Sequence, residues 1–313
     1  MMKIAFSHHF PTEAVPDGFS VIQPPQNPGF FTSDQLQRIL GEVDACICMA
    51  DTPFGKAEFA AAPKLRMLGN LGSGYNNVDV EEATRRGIPV FNTPTAVVNP
   101  TAEMTMSLLL GLCRGVVRYD RTLRTDGICP KELLSYADMT LAGKTLGVVG
   151  YGRIGQKVAE LAKAFGMRIL ICDSHHSESI ALERLLPQVD VLTLHLPYRV
   201  ENHHLINAHT LSLMKSSAYL LNVARGPIVE EKALVEALKT GRLKGAALDV
   251  HEFEPLVSQA IRELPNVVIT PHISTNLAEV RSAMLAELLE GMRFFQETHT
   301  LPANTVNKRE LSY

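Results

Sequence analysis

The chain has 313 residues, of which 46% are hydrophobic and 20% charged, and no apolar run approaches the roughly 18 residues that a membrane span needs. At about 150 residues per domain, this length predicts two soluble globular domains. The 30 Lys and Arg residues are balanced by 33 Asp and Glu residues, and a formal net charge of -3 excludes a basic surface built for nucleic acid or for an anionic membrane.

The cysteines and the N-terminus predict a cytoplasmic protein. Five cysteines are spread along the chain without the C-x-x-C spacing of a zinc or redox site: Cys46, Cys48, Cys113, Cys129 and Cys172. We expect free thiols in a reducing compartment. The first residues, MMKIAFSHHF, contain too short an apolar stretch for a secretory signal. His8 and His9 could border an active cleft, but no matching ligand set predicts a metal site.

In chain order, short apolar runs alternate with helical patterns, which is typical of parallel α/β sheets. The first series of predicted strands covers residues 3–6, 20–23, 45–49, 67–71 and 89–91. A long apolar helix is predicted over 101–117, with Asn99 as its cap and Pro100 at its first position. A second series follows at 145–149, 168–172, 191–194, 219–222, 245–248 and 267–270, and the last helix covers 276–298. We expect one domain formed by 1–97 plus 287–313, and another formed by 98–286.

The most informative segment is TLGVVGYGRIGQKVAELAKAFGMRILICD. It is predicted to form a strand, a G-x-G-x-x-G turn, a helix and a second strand that ends at an aspartate. In such a turn Gly150 makes the tight bend, Gly152 lets the backbone approach a diphosphate, and Gly155 lets the helix pack close to the strand. The diphosphate would lie at the start of the helix, at Arg153 and Ile154, where N–H groups are free.

Asp173 lies at the end of the second strand of this segment, where it predicts NAD rather than NADP. A carboxylate there accepts hydrogen bonds from the adenosine ribose and repels a 2′-phosphate. The next residues, Ser174, His175 and His176, supply no Arg or Lys to hold that phosphate.

Three further motifs follow predicted strands, at the sheet edge where open α/β sheets bind ligands. They are NVARG (222–226), LDVHEFEP (248–255) and TPHIS (270–274). Together with the glycine turn, they resemble the D-isomer-specific 2-hydroxyacid dehydrogenases, and the segments LGNLGSGYNNVDVEEATRRGIPVFNTP and LHLPY extend the resemblance over nearly the whole chain. The resemblance implies two doubly wound parallel-sheet domains, a flavodoxin-like substrate domain and a Rossmann NAD-binding domain, with the active site in the cleft.

By this resemblance Arg225, Glu254 and His272 are the catalytic residues. Reduction of a 2-oxo acid needs a hydride at the carbonyl carbon and a proton at its oxygen, and only the hydride comes from the nicotinamide. His272 would be the general acid in reduction and the base in oxidation. Glu254 would bind the other ring nitrogen and favour the imidazolium, and Arg225 would polarise the carbonyl and anchor the carboxylate.

Further residues match positions that bind substrate or cofactor in the family. Ser73 and Gly74 lie in a loop similar to the one whose backbone N–H groups hold the substrate carboxylate. Five residues are similar to those lining the cofactor: Thr101, His195, Pro197, Val223 and Ala224. Asp249 matches the residue that usually contacts the nicotinamide amide.

Two departures from the family's pattern affect the substrate side. The stretch RTDGICP lacks the family's frequent Trp, and Ser274, Thr275 and Asn276 replace a small, glycine-containing segment. We expect glyoxylate or hydroxypyruvate as substrate first and pyruvate second, and a homodimer formed through the crossing helix. The alternatives are an NAD-sensing protein of the corepressor type and phosphoglycerate dehydrogenase; formate dehydrogenase is disfavoured because its relatives pair the His with Gln.

Overall fold

The structure is a computed structural model that describes residues 2–10, 15, 18–127 and 139–311. It divides into two compact units, one formed by Met1–Val97 with Asn276–Tyr313 and the other by Val98–Thr275. Residues 128–130 of the RTDGICP stretch, Cys129 among them, lie outside the described residues. The described cysteines Cys46, Cys48, Cys113 and Cys172 are free thiols. Within the described ranges, no helix is both long and apolar enough to cross a membrane.

The first unit is a five-stranded parallel sheet with the strand order β2-β1-β3-β4-β5. This is the flavodoxin-like order, and it confirms the fold expected for this part of the chain. The strands are β1 (Met2–Phe6), β2 (Phe19–Ile22), β3 (Ala45–Met49), β4 (Met67–Leu71) and β5 (Val90–Phe91). The helices between them are α1 (Ser33–Leu40), α2 (Lys56–Ala61) and α3 (Val80–Arg85).

The second unit begins with two helices, α4 (Val98–Cys113) and α5 (Val116–Asp126). Its sheet consists of β6 (Thr145–Val149), β7 (Arg168–Cys172), β8 (Val191–Leu194), β9 (Tyr219–Asn222), β10 (Gly245–Leu248) and β11 (Val267–Ile269). The connecting helices are α6 (Arg153–Ala164), α7 (Leu182–Leu185), α8 (Ala208–Leu213), α9 (Glu231–Lys239) and α10 (Gln259–Arg262). All strands are parallel, in the order β11-β10-β9-β8-β6-β7, with apolar clusters on both faces.

The prediction of one helix over 101–117 is wrong in its bounds. The helix already begins at Val98, so Asn99 and Pro100 lie in its first turn, where the missing N–H of proline costs no hydrogen bond. It ends at Cys113 because Gly115 adopts a left-handed conformation (φ 62°), which interrupts the helix before α5 begins.

The second crossing between units also lies elsewhere than expected. The expected boundary at 286/287 falls inside a continuous helix, α11 (Ala278–Thr298), whereas the units divide between Thr275 and Asn276. The helix packs on the first sheet so closely that a Cβ added at Gly69 of β4 would lie 2.2 Å from the Leu288 side chain. The whole helix therefore belongs with the first unit.

Candidate active site

The glycine turn lies between β6 and α6 and has the close packing that its spacing predicts. Gly150 has a φ of +88°, which L side chains rarely adopt, and a Cβ there would lie 2.7 Å from the backbone of His195. A Cβ on Gly155 would lie 2.1 Å from the carbonyl oxygen of Gly150. At Gly152, by contrast, a Cβ would meet nothing within 4 Å. The first and third glycines are thus required by the fold, whereas the space above Gly152 is open.

The first turn of α6 offers free backbone donors. Gly152 caps the helix in an extended conformation, and its carbonyl accepts the first helical hydrogen bond, from Gln156. The N–H groups of Arg153, Ile154 and Gly155 therefore have no acceptor within the helix. Gly152 and Arg153 are exposed. This arrangement fits the diphosphate of a dinucleotide.

Asp173 ties the end of β7 to the glycine turn. One carboxylate oxygen accepts the Tyr151 N–H at 2.6 Å and the other accepts the His175 N–H at 2.8 Å. Burial alone would raise the pKa of Asp173, but these two hydrogen bonds and the charges of His175 and His176 lower it overall. The carboxylate is therefore ionised at neutral pH, and each oxygen retains a lone pair for a ribose hydroxyl.

His272 and Glu254 form a direct pair. The distance between His272 Nδ1 and Glu254 Oε2 is 3.1 Å, and the other oxygen of Glu254 accepts the His251 N–H at 2.9 Å. Burial raises the pKa of Glu254, but the bonds from His272 and His251 outweigh it and lower the pKa overall. Both side chains remain more than a third exposed, at 40% for His272 and 37% for Glu254. The free Nε2 of His272 can therefore reach a ligand.

Asp249 anchors the segment that carries His272. Its buried carboxylate accepts four hydrogen bonds from that segment: from Thr270 Oγ1 at 2.6 Å, from Ile273 N at 3.0 Å, from Ser274 N at 3.1 Å, and from Ser274 Oγ. Its carbonyl accepts the His272 N–H at 2.8 Å. A carboxylate has about four acceptor positions. The structure thus gives Asp249 other partners than the nicotinamide amide that the resemblance implied.

Arg225 follows β9, in a turn that Asn222 holds. Asn222 Oδ1 accepts the Ala224 N–H at 3.0 Å, and its Nδ2 donates to the Arg225 carbonyl at 2.9 Å. A Cβ on Gly226 would lie 1.9 Å from the carbonyl oxygen of His251, so the turn contacts the segment that carries Glu254. Burial lowers the pKa of the Arg225 guanidinium, and the nearby Glu254 carboxylate partly offsets this.

Asn222 and Gly226 were not among the predicted site residues. Their only sequence signal was their place beside Arg225 in the NVARG motif. What they do depends on contacts with the turn itself and with the segment around His251, which the motif alone does not reveal.

The remaining predicted cofactor residues lie in the second unit and differ in how exposed they are. His195 follows β8 and lies against Gly150; its Nε2 is 2.9 Å from Thr193 Oγ1, and burial lowers its pKa to about 3, so the ring is neutral. Pro197 is exposed, whereas Val223, Ala224 and Thr101 are buried. The structure brings the glycine turn, Asp173, His195, Arg225, Glu254 and His272 to the carboxyl ends of the strands of one sheet.

In the first unit, the predicted loop with Ser73 and Gly74 follows β4. A cavity of about 250 Å³ lies at the ends of β1 and β3, where His8 Nε2 is 3.2 Å from Asp51 Oδ2. The hydrogen bond from His8 lowers the pKa of Asp51. Among the described residues, no group of three or more His, Cys, Asp or Glu side chains could hold a metal ion.

A glycine turn for a dinucleotide and a His–Glu pair beside an arginine, on one sheet edge, are typical of a dinucleotide-dependent oxidoreductase. Comparison with known proteins gives the family. Residues 106–274 match the model of the NAD-binding domain of D-isomer-specific 2-hydroxyacid dehydrogenases. A glyoxylate reductase of Pyrococcus horikoshii is 41% identical over 289 residues, which cover 87% of this chain and 85% of that protein.

Solved structures agree with this result. An NADPH-dependent glyoxylate/hydroxypyruvate reductase of Sinorhizobium meliloti has a TM-score of 0.86 and 27% identity, with both chains covered to 100%. A D-lactate dehydrogenase of Aquifex aeolicus, complexed with NAD and lactic acid, has a TM-score of 0.80 and 26% identity, covering 97% of this chain and 98% of that one. The chain belongs to the D-isomer-specific 2-hydroxyacid dehydrogenases, oxidoreductases that act on the CH–OH group of small 2-hydroxy acids.

Proposed function

We propose that this protein is an NAD-dependent D-2-hydroxyacid dehydrogenase that reversibly reduces a small 2-oxo acid, with glyoxylate or hydroxypyruvate as first choice and pyruvate as second. The observation that supports it most is the His272–Glu254 pair, 3.1 Å apart, in the same unit as the glycine turn. The relative from Pyrococcus horikoshii, a glyoxylate reductase, supports the order of substrates.

His272, Glu254 and Arg225 each have a separate role in the reaction. The nicotinamide, when bound, supplies the hydride that reduces the carbonyl carbon. His272 gives a proton from Nε2 to the carbonyl oxygen, and takes it back in the oxidation direction. Glu254 accepts from Nδ1 and stabilises the protonated ring. Arg225 polarises the carbonyl and fixes the acid by charge-assisted hydrogen bonds.

The ionised Asp173 favours NAD, because it would repel a 2′-phosphate. One relative is NADPH-dependent and another holds NAD, so the choice depends on residues of this chain. The glycine turn, Arg153 and Ile154 would hold the diphosphate, with His195, Pro197, Thr101, Val223 and Ala224 towards the nicotinamide.

Cofactor consumption by the purified protein tests this proposal directly. We expect NADH to be oxidised faster than NADPH with glyoxylate, hydroxypyruvate or pyruvate, and slowly with 3-phosphohydroxypyruvate. A preference for the phosphorylated acid would instead favour a phosphoglycerate dehydrogenase. Tight NADH binding without turnover of any of these acids would favour the sensing role.

His272→Ala tests the proton transfer in the same assay. Turnover should fall by about 10²- to 10⁴-fold, the usual contribution of a general acid, while NADH binding stays nearly unchanged. His209→Ala is a matched control because His209 is exposed and lies in the same unit, at the start of α8. Turnover of His272→Ala close to that of the control would show that His272 does not transfer the proton.

We further propose that the protein is a cytoplasmic homodimer. Helix α5 has no buried residue and exposes Val116, Val117 and Leu123 at 58%, 42% and 46%. Such a helix is suited to being covered by a second copy. The free thiols suit a reducing compartment.

A further inference from the structure

His251 lies where three segments of the candidate active site meet. It is the third residue after β10, and it is buried, with 4% exposed. Its backbone N–H donates to Glu254 Oε1 at 2.9 Å, and its carbonyl oxygen lies against Gly226 in the turn after β9. Its ring Nε2 is 3.0 Å from the carbonyl oxygen of Thr270, two residues before His272. One residue therefore contacts all three segments.

The partner of the His251 ring determines its tautomer. A carbonyl oxygen can only accept, so Nε2 carries the hydrogen and donates to Thr270. Among the described residues the other ring nitrogen, Nδ1, has no hydrogen-bond partner, although it is buried. A buried polar atom without a partner costs stability, and an apolar side chain of similar size would avoid that cost. The bond to Thr270 therefore indicates a role of this ring beyond packing.

This bond joins the segment of Glu254 to the segment of His272. Asp249 also holds the second segment, since it accepts the Thr270 hydroxyl at 2.6 Å and the His272 N–H at 2.8 Å. Asp249, however, precedes the turn that carries Glu254. His251 lies in that turn, and it binds Glu254 through its N–H and Thr270 through its ring. The distance of 3.1 Å between His272 Nδ1 and Glu254 Oε2 thus depends on His251 as well as on Asp249.

We infer that His251 is a positioning residue that holds Glu254 and His272 at hydrogen-bond distance for the proton transfer. This inference rests on the proposed function, which supplies the reaction. His251 need not touch the substrate or the cofactor. Without its ring donor the two segments can separate, and His272 loses the acceptor that keeps a hydrogen on Nδ1. That hydrogen leaves Nε2 of the neutral ring free to take the proton of a 2-hydroxy acid.

His251→Gln and His251→Met test the inference, because the two new side chains have nearly the same size and only the amide can donate to Thr270. We expect kcat to fall about 10-fold in His251→Met, as for the loss of one hydrogen bond, and to stay within about 3-fold of the parent in His251→Gln. KM for the 2-oxo acid and NADH binding should stay within about 2-fold in both. His251→Phe is a second variant without a donor, and its kcat should fall as in His251→Met.

Asn266→Leu is the matched control. It removes an amide donor to the carbonyl of Lys244, at the other end of β11 from Thr270, and its kcat should equal that of the parent. A kcat of the two donor-free variants equal to that of His251→Gln would overturn the inference. A fall of the same size in Asn266→Leu would also overturn it, because any loosening of β11 would then have this effect.

The ring-nitrogen NMR signals of His272, measured without substrate, separate this inference from the proposed function. In the parent and in His251→Gln the neutral ring should carry its hydrogen on Nδ1, because Glu254 accepts there. In His251→Met a larger share of the rings should carry it on Nε2. If the parent reduces 2-oxo acids but the tautomer is the same in all three proteins, the inference is wrong. If the tautomer changes as expected and no acid is reduced, the positioning role stands and the proposed reaction fails.

Discussion

At the scale of single residues, the site depends on carboxylates that are held by several donors at once. Glu254 accepts from a ring nitrogen and from a backbone N–H, and Asp249 accepts four hydrogen bonds. A carboxylate that several donors hold in one orientation also restricts the orientation of the groups that donate to it. The angle of the His272 ring and the course of its backbone are therefore set by two different acidic residues.

Glu254→Gln should keep the shape of the side chain that contacts His272 and remove its negative charge. The amide oxygen can still accept from His251, but the NH₂ group then faces His272 Nδ1, which cannot donate to it. The doubly protonated ring is disfavoured, and we expect kcat to fall at least 10²-fold with NADH binding unchanged. Steady-state kinetics at neutral pH check this; a kcat within a few-fold of the parent would contradict it.

The same variant should also differ from the parent in how its free energy of unfolding depends on pH. The pKa of Glu254 is lower in the folded protein than its ordinary value of about 4.3, so its contribution is present above that value and is lost as pH falls through the lowered pKa. The free energy of unfolding of the parent should exceed that of Glu254→Gln at pH 7 by less than about 1 kcal/mol, because both partners are partly exposed. Urea unfolding at pH 7 and at successively lower pH should show the difference shrink as pH falls; a difference that grows in acid would contradict the prediction.

Some residues of the site could be predicted from the sequence, whereas the role of others could not. Arg225, Glu254 and His272 stand in motifs, and the structure brings them to one sheet edge of one unit. The role of Asp249 was not predictable, because it depends on the course of residues 270–274. Ser274, a departure from the family's pattern, has a physical reason there: its N–H and hydroxyl both donate to the Asp249 carboxylate.

At the scale of elements, the predicted strands agree closely with the structure, because a buried parallel strand is a short apolar run in any context. Helix bounds were less predictable. Gly115 looks like any helical glycine in sequence, and only its left-handed conformation separates α4 from α5. The glycine turn was predictable in detail because each of its glycines has one expected task, which is packing for Gly150 and Gly155 and approach of the diphosphate for Gly152.

Alanine at the second and third glycines of this turn should therefore have different effects. Gly155→Ala places a Cβ 2.1 Å from a carbonyl oxygen, so we expect a loss of about 1–3 kcal/mol in the free energy of unfolding. Gly152→Ala meets nothing in the protein and should cost less than about 1 kcal/mol, yet weaken NADH binding at least 10-fold, because the Cβ takes the space of the diphosphate. Urea unfolding and NADH titration of both variants measure this. Unchanged NADH affinity in Gly152→Ala would show that the diphosphate binds elsewhere.

At the scale of the whole molecule, the chain leaves the first unit after Val97 and returns to it at Asn276. At the first crossing the sequence changes from alternating short strand and helix patterns to one long apolar helix. The second crossing has no such change in pattern, and this explains why the predicted boundary differs from the structure only there. The returning segment completes the first sheet: Leu288 packs on Gly69, Val306 N–H donates to the Val90 carbonyl at 2.7 Å, and the rings of Phe91 and Phe295 are 5.9 Å apart.

This connectivity predicts which pieces of the chain fold alone. Residues 98–275 contain a complete sheet, both of its apolar clusters and the glycine turn, so the fragment should unfold cooperatively and bind NADH. Residues 1–97 lack α11 and should not fold alone, because the face of β4 that Leu288 covers would be exposed. Joining 1–97 to 276–313 through a short linker should restore a cooperative transition, whereas joining 1–97 to 287–313 should not, because that break removes the first turns of α11. Urea unfolding of the four fragments measures this; equal stability of the two joined fragments would show that residues 276–286 are dispensable to the first unit.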